Sequence, residues 1–540
     1  MKSKKDKKIE NQVNLVTRPP IVVVLGHVDH GKTTLLDYIR KTSVAAKESG
    51  GITQHIGAYQ IEYQEKKVTF IDTPGHEAFS QMRSRGARVA DIAILIIAAE
   101  EGIKPQTKEV ISHIKEYKIP VVVALNKIDK PGANAAKVAG ELAKEGILVE
   151  SQGGDVPSVN ISAKNGQGVD ELLEVLLLVA EMEELKADFN KKASGVVIES
   201  FLDSQRGPTA TLLIRNGTLM RGDIIVCGDS CGKAKILEDF QGNSIEKALS
   251  SMPAVMLGLN EVPVVGEVFN VVESEEVARK SADEYKQRAI KKQKDKDIEN
   301  IKKKEEVEKS AEESSENALG DSKEPDDLGG EQEEAEPKQL NIILKADVRG
   351  SMEAIKGTLD NIQQDQAQIN IIKSEVGDIS ESDVKLAYSS NAIIVGFRVK
   401  SPNLIFNLAK RQGVKIKVFE VIYEVVEEIK KQLTGLLEPE IIKEELGTLK
   451  IIAIFKKEKS RMIVGGKVTS GVIKNRVLAD VIRDKKKIAT GRITQLQHNK
   501  KDAGEVEKGK EAGILFEGNP IIEEGDIIVA YREEKKKQEL

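Results

Sequence analysis

The stretch that decides the fold runs from Ile21 to Arg40: Ile21-Val22-Val23-Val24-Leu25, then Gly26-His27-Val28-Asp29-His30-Gly31-Lys32-Thr33, then Thr34 to Arg40. The unbroken β-branched run predicts a strand buried on both faces, and the amphipathic segment behind it predicts a helix. Between them stands the form G-x-x-x-x-G-K-T, whose glycines let backbone N–H groups converge on phosphate oxygens while the helix N-terminus adds positive potential. Lys32 is expected to reach the β- and γ-phosphates of a nucleotide, and the Thr33 hydroxyl to bind Mg²⁺. Gly26, His27, Val28, Asp29, His30, Gly31, Lys32, Thr33 and Thr34 form the candidate phosphate site.

Three further segments extend the site, each at the end of an expected strand. Asp72-Thr73-Pro74-Gly75 follows Val68–Asp72; its carboxylate can hold Mg²⁺ through water, and the Gly75 N–H can face the γ-phosphate. Asn126-Lys127-Ile128-Asp129 follows Val121–Leu125. The Asp129 carboxylate can accept from both the ring N–H and the exocyclic amine of guanine, a pattern adenine lacks; a hydrogen bond to a charged group contributes about 1.5–3 kcal/mol. Asn126 supports that loop, and the Lys127 stem can cover the base. Ser162-Ala163-Lys164 ends the next strand, where a backbone N–H can meet the guanine oxygen. Each segment alone is a weak signal. Together and in this order they predict a GTP site and disfavour ATP.

Around these segments the texture of the chain changes several times. Residues 18–188 alternate strands and helices, predicting a mostly parallel sheet covered on both faces. Residues 189–275 carry short strands and turn signals such as Asn216-Gly217, predicting a β-barrel. Residues 276–338 are a charged linker: Arg279 to Lys304 holds 11 basic and 5 acidic residues, Glu305 to Glu336 holds 2 basic and 14 acidic. Its basic half can form a solvated helix held by i,i+4 pairs, and its acidic half has too few apolar residues to repay ordering entropy. A second α/β domain follows at 339–419, then a connecting helix at 420–445 and a second barrel at 446–540. A basic tail at 1–17 precedes the first domain. The pentad Gly222-Asp223-Ile224-Ile225-Val226 recurs as Gly525-Asp526-Ile527-Ile528-Val529, which mildly favours two barrels of similar plan.

Composition excludes several classes. The longest apolar run, Ile92–Ala99, falls far short of the roughly 18 residues that suggest a membrane span. No apolar segment follows the early lysines, so no secretory signal is expected. Two cysteines in 540 residues exclude a disulfide framework and predict a reducing, cytoplasmic setting. Cys227 and Cys231 read as reduced thiols flanking a turn, since a zinc site would need two more ligands. The net charge of −5 argues at first against a nucleic-acid partner. The linker alone accounts for −6, leaving near-neutral domains that can carry local basic surfaces.

Read together, Gly26–Thr33, Gly50–Tyr59, Asp72–Gly86, Asn126–Pro131 and Ile342–Ala354 resemble the translational GTPases, and within them the bacterial translation initiation factor 2 family. The likeness runs from about Arg18 to the C-terminus, broken by the charged linker. It implies a P-loop GTPase domain, a β-barrel, a linker, an α/β sandwich domain, a long helix and a terminal β-barrel. It also implies GTP and Mg²⁺ as ligands, ribosome-stimulated hydrolysis, and a GTP-bound form that joins formylmethionyl initiator tRNA to the small ribosomal subunit and promotes large-subunit joining. Ribosomal RNA and other initiation factors are then expected partners, and no membrane. The resemblance assigns Thr53 to Mg²⁺ and the γ-phosphate, His76 to orienting the attacking water, and Val28 and Ile52 to an apolar gate before His76.

Two departures qualify these expectations. The family carries a long extension ahead of the GTPase domain; here only the basic tail precedes Arg18, so the extension's role in subunit binding is expected to be missing or taken over by Met1–Lys8. In the terminal barrel, Gly466 and Ala512 stand where the family has cysteines. Gly465, Gly466, His498, Glu511 and Gly513 remain the candidate initiator-tRNA residues, with altered or weaker reading of the formylmethionyl group expected. Two other readings stay open: a GTP-gated scaffold that hydrolyses nothing, against which Thr53, Asp72 and His76 argue, and an elongation or selenocysteine-type factor, against which the second α/β domain argues.

Overall fold

The computed structural model describes residues 15–41, 53–291, 294, 338–362, 367–436, 440–458, 460–484, 486–518 and 522–536. The start of the basic tail, Ile52 and most of the charged linker lie outside them. The chain divides into two compact units, Met1–Ile429 and Lys430–Leu540.

The first unit opens with a six-stranded sheet in the order Gly57–Tyr63, Lys66–Asp72, Ile21–Gly26, Ile92–Ala98, Val121–Asn126, Ser158–Asn160. All neighbours are parallel except the first pair. The strands Ile21–Gly26 and Ile92–Ala98 are buried at every position, as β-branched strands covered by helices on both faces must be. Helices Lys32–Arg40, Ser80–Val89, Pro105–Tyr117, Ala135–Lys144 and Val169–Met182 follow the strands.

One strand, Gly57–Tyr63, is not among those expected from sequence. It forms a two-residue hairpin with Lys66–Asp72 through Gln64 and Glu65, both at positive φ, 48° and 64°. A tight hairpin of this hand usually carries Asn-Gly or Asp-Gly, and Gln-Glu gives no such signal.

The sheet is joined to a closed six-stranded barrel, ordered Gly207–Asn216, Pro253–Leu259, Ser230–Glu238, Ile224–Cys227, Val268–Val272, Ser194–Asp203. Phe269, Leu212 and Met256 fill its core. Cys227 and Cys231 are free and buried on either side of the turn after Cys227. Residues 275–291 are helical. The pairs Arg279–Glu275 and Arg288–Glu284 brace that helix at i,i+4, but it is not solvated all round: Ala278 and Ala282 pack on Cys231. The start of the expected linker is therefore seated on the barrel.

A four-stranded parallel sheet completes the first unit, ordered Ala367–Val376, Lys338–Ala346, Ile393–Phe397, Ile416–Phe419. Ser380 caps the helix Glu381–Ser389 in a full capping box with Asp383, as the spacing Ser380-x-x-Asp383 predicts. The Gly350 N–H, at the start of the helix Arg349–Asp360, donates to Glu199 of the barrel at 3.3 Å. Burial pushes the Glu199 carboxyl up to about 7, against the opposing bonds from Ser200 and Gly350.

In the second unit, Glu440–Lys457 pairs with both Arg461–Lys474 and Ile527–Lys536. These pairings close a ring of six strands with Leu478–Arg483, Lys486–His498 and Glu511–Gly518. The repeated pentad proves to be one turn used twice. Gly222 and Gly525 sit at φ 97° and 100°, and each following aspartate accepts from the N–H three residues before it, Asp223 from Met220 and Asp526 from Glu523, both at 2.8 Å. No helix among the described residues is long and apolar enough to cross a membrane.

The sheet and the first barrel share a buried ion pair. Arg18 meets both Asp91 oxygens at 2.6 and 2.7 Å and donates to Ser251 Oγ of the barrel at 3.2 Å; Arg18 and Asp91 are 8% and 5% exposed. Asp91→Ala strands the arginine and is expected to lower the unfolding free energy of the first unit by about 3–5 kcal/mol. Lys66→Ala, in an exposed pair with Glu181, is expected to cost under about 1 kcal/mol. Urea unfolding followed by circular dichroism distinguishes the two, and equal small losses would remove Asp91 from this role.

Candidate functional site

The loop between Ile21–Gly26 and Lys32–Arg40 is shaped by backbone conformation. Asp29 and Gly31 take positive φ, 61° and 94°, a pattern that turns successive N–H groups toward one side. A side chain at Gly26 would strike the Ile96 carbonyl of the neighbouring strand. Gly31 is the N-cap of the helix, and no side chain caps it. The first-turn N–H groups therefore face the loop as an anion site. His30 is fully buried beneath the loop, so it serves this site through its backbone. Thr34 is exposed.

Lys32 lies inside the loop, its ammonium donating to the Gly26 and His27 carbonyls at 3.0 and 2.7 Å. Burial pulls its pKa down to about 8, while Asp72 opposes that shift. A desolvated ammonium of this kind gains from an anion beside it. A side chain at Gly75 would occupy the position of Lys32 Nζ and crowd the Val28 N–H, which brings Asp72–Gly75 against the loop. The Thr33 and Thr53 hydroxyls are hydrogen-bonded at 2.7 Å, and Asp72 is buried. Two hydroxyls and a carboxylate are hard oxygen donors of the kind that Mg²⁺ prefers. Among the described residues no cluster of three or more His, Cys, Asp or Glu offers an alternative metal site.

Asn126 ties the two ends of the site together. Its amide donates to the His30 carbonyl at 2.8 Å and its oxygen accepts from the Ala163 N–H at 2.9 Å. Asp129 accepts from Ser162 Oγ at 2.6 Å; that bond, with Lys164 and Lys130 nearby, holds its carboxyl below the usual range. Lys127, at φ 63°, is pinned by Glu100 and Glu101 at 3.0 and 3.3 Å. Ser162, Ala163, Asp129 and Asn126 thus lie together.

His76 begins a short 3-10 turn, Glu77–Phe79, and its Nδ1 accepts from the Ala78 N–H at 3.3 Å. The imidazole is buried and held neutral, its pKa lowered to about 4 by burial and by Arg83 and His27. Beneath it Arg83, fully buried, grips Glu109 with two bonds of 2.8 and 2.9 Å and donates to the Pro74 and His76 carbonyls. Sequence reasoning did not single out Arg83, although it lies in the stretch Asp72–Gly86, nor Gln106, which accepts from the Val28 N–H at 3.2 Å and lies in no motif. Of the expected gate, Val28 is in the loop, and Ile52 lies outside the described residues. The neighbours of Thr53 reach the later α/β domain and the segment that follows it: His55 Nε2 lies 3.2 Å from Asp347, and Gln54 Nε2 donates to the Glu420 carbonyl at 3.2 Å.

The terminal-barrel residues form a separate site within the second unit. A cavity of 570 Å³ is lined by Phe455, Gly465, Gly466, Glu511 and Gly513 among others. His498 does not line it; the imidazole Nδ1 lies 2.6 Å from the carbonyl of Glu511, which does. Gly466 and Ala512 are cross-strand partners. The Ala512 side chain belongs to the barrel core, and a side chain at Gly466 would strike the Lys450 carbonyl. Bare backbone forms that part of the wall.

Comparison with known proteins adds the following. Residues 17–182 match the Elongation factor Tu GTP binding domain family, 192–272 the Elongation factor G domain 2 family, and 286–430 the Translation-initiation factor 2 family. The translation initiation factor IF-2 of Clostridium novyi is 44% identical over 520 residues, covering 96% of this chain and 73% of that protein. That of Desulforamulus reducens is 45% identical over 531 residues, covering 98% of this chain and 52% of that protein. The chain thus spans about half the length of several curated relatives it matches. A crystal structure of GDP-bound aIF5B from Aeropyrum pernix covers 95% of this chain and 92% of that one at 27% identity and a TM-score of 0.45.

His30 and His76 generate a pH dependence. Each titrates at about 4 in the folded chain against 6.5 ordinarily, so the unfolded chain binds more protons between those values. Their contribution to stability is complete above pH 6.5 and is lost as pH falls toward 4. The urea midpoint is expected to fall through this window. His30→Gln should make the fall shallower, and an unchanged slope would show that His30 does not titrate this way.

Proposed function

We propose that this chain, which belongs to the translation initiation factor IF-2 family, is a ribosome-stimulated GTP hydrolase of translation initiation. In its GTP-bound form it holds formylmethionyl initiator tRNA on the small subunit and promotes joining of the large one. The setting is the cytoplasm. The observation that carries the GTPase reading is the convergence of Lys32, Thr33, Thr53, Asp72 and Gly75 at one end of the parallel sheet, bridged by Asn126 to Asp129, Ser162 and Ala163.

The roles follow from chemistry. Loop N–H groups and the Lys32 ammonium bind the phosphates. The Thr33 and Thr53 hydroxyls, with Asp72 through water, would hold Mg²⁺, which would supply charge neutralisation to the phosphates. Thr53 also contacts the γ-phosphate and is released when that group leaves. Asp129 accepts from the guanine edge, the Lys127 stem covers the base, and the Ala163 N–H, with Ser162 and Lys164 flanking it, meets the guanine oxygen. His76, neutral at pH 7, orients the attacking water once the ribosome brings it past the apolar gate of Val28 and Ile52. In the terminal barrel, the cavity lined by Gly465, Gly466, Glu511 and Gly513, with His498 held against the Glu511 carbonyl, takes the aminoacyl end of the tRNA. Its size and the exposed Phe455 and Ile463 suit an apolar methionyl group.

Asp129→Asn is expected to exchange guanine for xanthine preference, measured by competition between GDP and XDP; unchanged GDP affinity would refute the role of Asp129. His76→Ala should bind GTP normally and lose ribosome-stimulated hydrolysis by about 10³-fold or more. Phosphate release with 70S ribosomes and initiator tRNA reads this, and undiminished turnover would remove His76 from the mechanism.

A further inference from the structure

His76 has a neighbour that no GTPase segment supplies. Tyr423 lies in the first turn of the helix Ile422–Leu436, and its ring meets the His76 imidazole edge-on, centroids 3.9 Å apart at 69°. Phe79 flanks the same imidazole at 6.4 Å and 89°. The imidazole is therefore fixed by two rings, by the Ala78 N–H on Nδ1, and by the grip of Arg83 on its carbonyl.

This pose has a cost that identifies what holds it. With Nδ1 accepting from Ala78, the ring proton sits on Nε2. That atom is buried and makes no hydrogen bond. A buried polar atom left unsatisfied disfavours its rotamer, so packing must compensate. The contact with Tyr423 is much the closer of the two ring contacts. It is also the more easily withdrawn: Tyr423 is 47% exposed, whereas Phe79 is fully buried. The same turn touches the segment beside Thr53, where Glu420 accepts from Gln54 at 3.2 Å. One short stretch, 420–423, thus contacts both the segment that carries Thr53 and the segment that carries His76.

We propose that Tyr423 is a positioning residue for hydrolysis: it holds His76 in the capped, inactive rotamer, and movement of the 420–423 turn releases the imidazole toward the nucleotide. The inference rests on the role given to His76 above. It makes the start of the connecting helix a brake on hydrolysis, with Tyr423 as the part that touches the orienting histidine.

Single-turnover GTP hydrolysis without ribosomes tests it on the full chain, comparing Tyr423→Ala, Tyr423→Phe, His76→Ala and the Tyr423→Ala/His76→Ala double variant. GDP affinity is measured in parallel as a check that the site is intact. Tyr423→Ala is expected to hydrolyse about 2- to 12-fold faster than the parent, the range set by loss of one edge-on aromatic contact. Tyr423→Phe keeps the ring and should match the parent. The double variant should lose the acceleration, and all should bind GDP like the parent. Unchanged turnover in Tyr423→Ala, or acceleration that survives in the double variant, overturns the proposal. If His76→Ala loses ribosome-stimulated turnover while Tyr423→Ala behaves as the parent, only the Tyr423 assignment falls. If His76→Ala keeps that turnover, the role of His76 falls and the brake with it.

Discussion

One side-chain amide sets the dimensions of the nucleotide site. Asn126 donates to the carbonyl of His30 and accepts from the N–H of Ala163, so it fastens the phosphate loop to the loop beside Asp129. The space above Gly31 is filled by this same amide, which is why that loop position has no side chain. Because the three loops leave three different strands of one parallel sheet, their spacing already follows from strand separation. Asn126 removes the remaining freedom, and a rigid span between phosphate and base subsites costs a ligand little ordering entropy.

Buried cations perform the equivalent task elsewhere. Arg83 and Arg18 have almost no exposure, and each is matched by a carboxylate in two-point contact. Such pairs add little net stability, because desolvation offsets attraction. Their effect is on geometry: the fixed fork of a guanidinium tolerates few arrangements. Arg18 fixes the sheet against the first barrel. Arg83 fixes the backbone on either side of Gly75, so that the segment carrying His76 is anchored below while its ring is covered from above by Tyr423.

The contacts made by Gln54, His55 and His76 with Glu420, Asp347 and Tyr423 give the first unit a physical link between its nucleotide end and both its later α/β domain and the start of the helix that follows. Any displacement of Thr53 would strain the neighbouring Gln54 and His55 contacts at once, since they are adjacent in the chain. The two barrels share a turn. The same Gly-Asp device starts a strand in each, and the terminal barrel carries a cavity walled in part by glycine backbone.

Much of this was legible in the sequence because the signals are local. A β-branched run next to a glycine-rich turn and a helix has one economical reading, and Asn126, Asp129 and Ala163 follow from their positions after strands. Ser380 and Asp383 announced their cap in the same way. The strand Gly57–Tyr63 escaped notice because its turn is built from Gln64 and Glu65, which take positive φ without glycine or asparagine. Gln106 and Tyr423 belong to no motif, Arg83 lies in one without a role assigned to it, and nothing near them in sequence names their partners. The chain alone determined which chemistry is present and in what order. Only the tertiary structure decided that Tyr423 covers His76, since that contact depends on how separately formed elements pack, and packing is a property of surfaces distant in sequence.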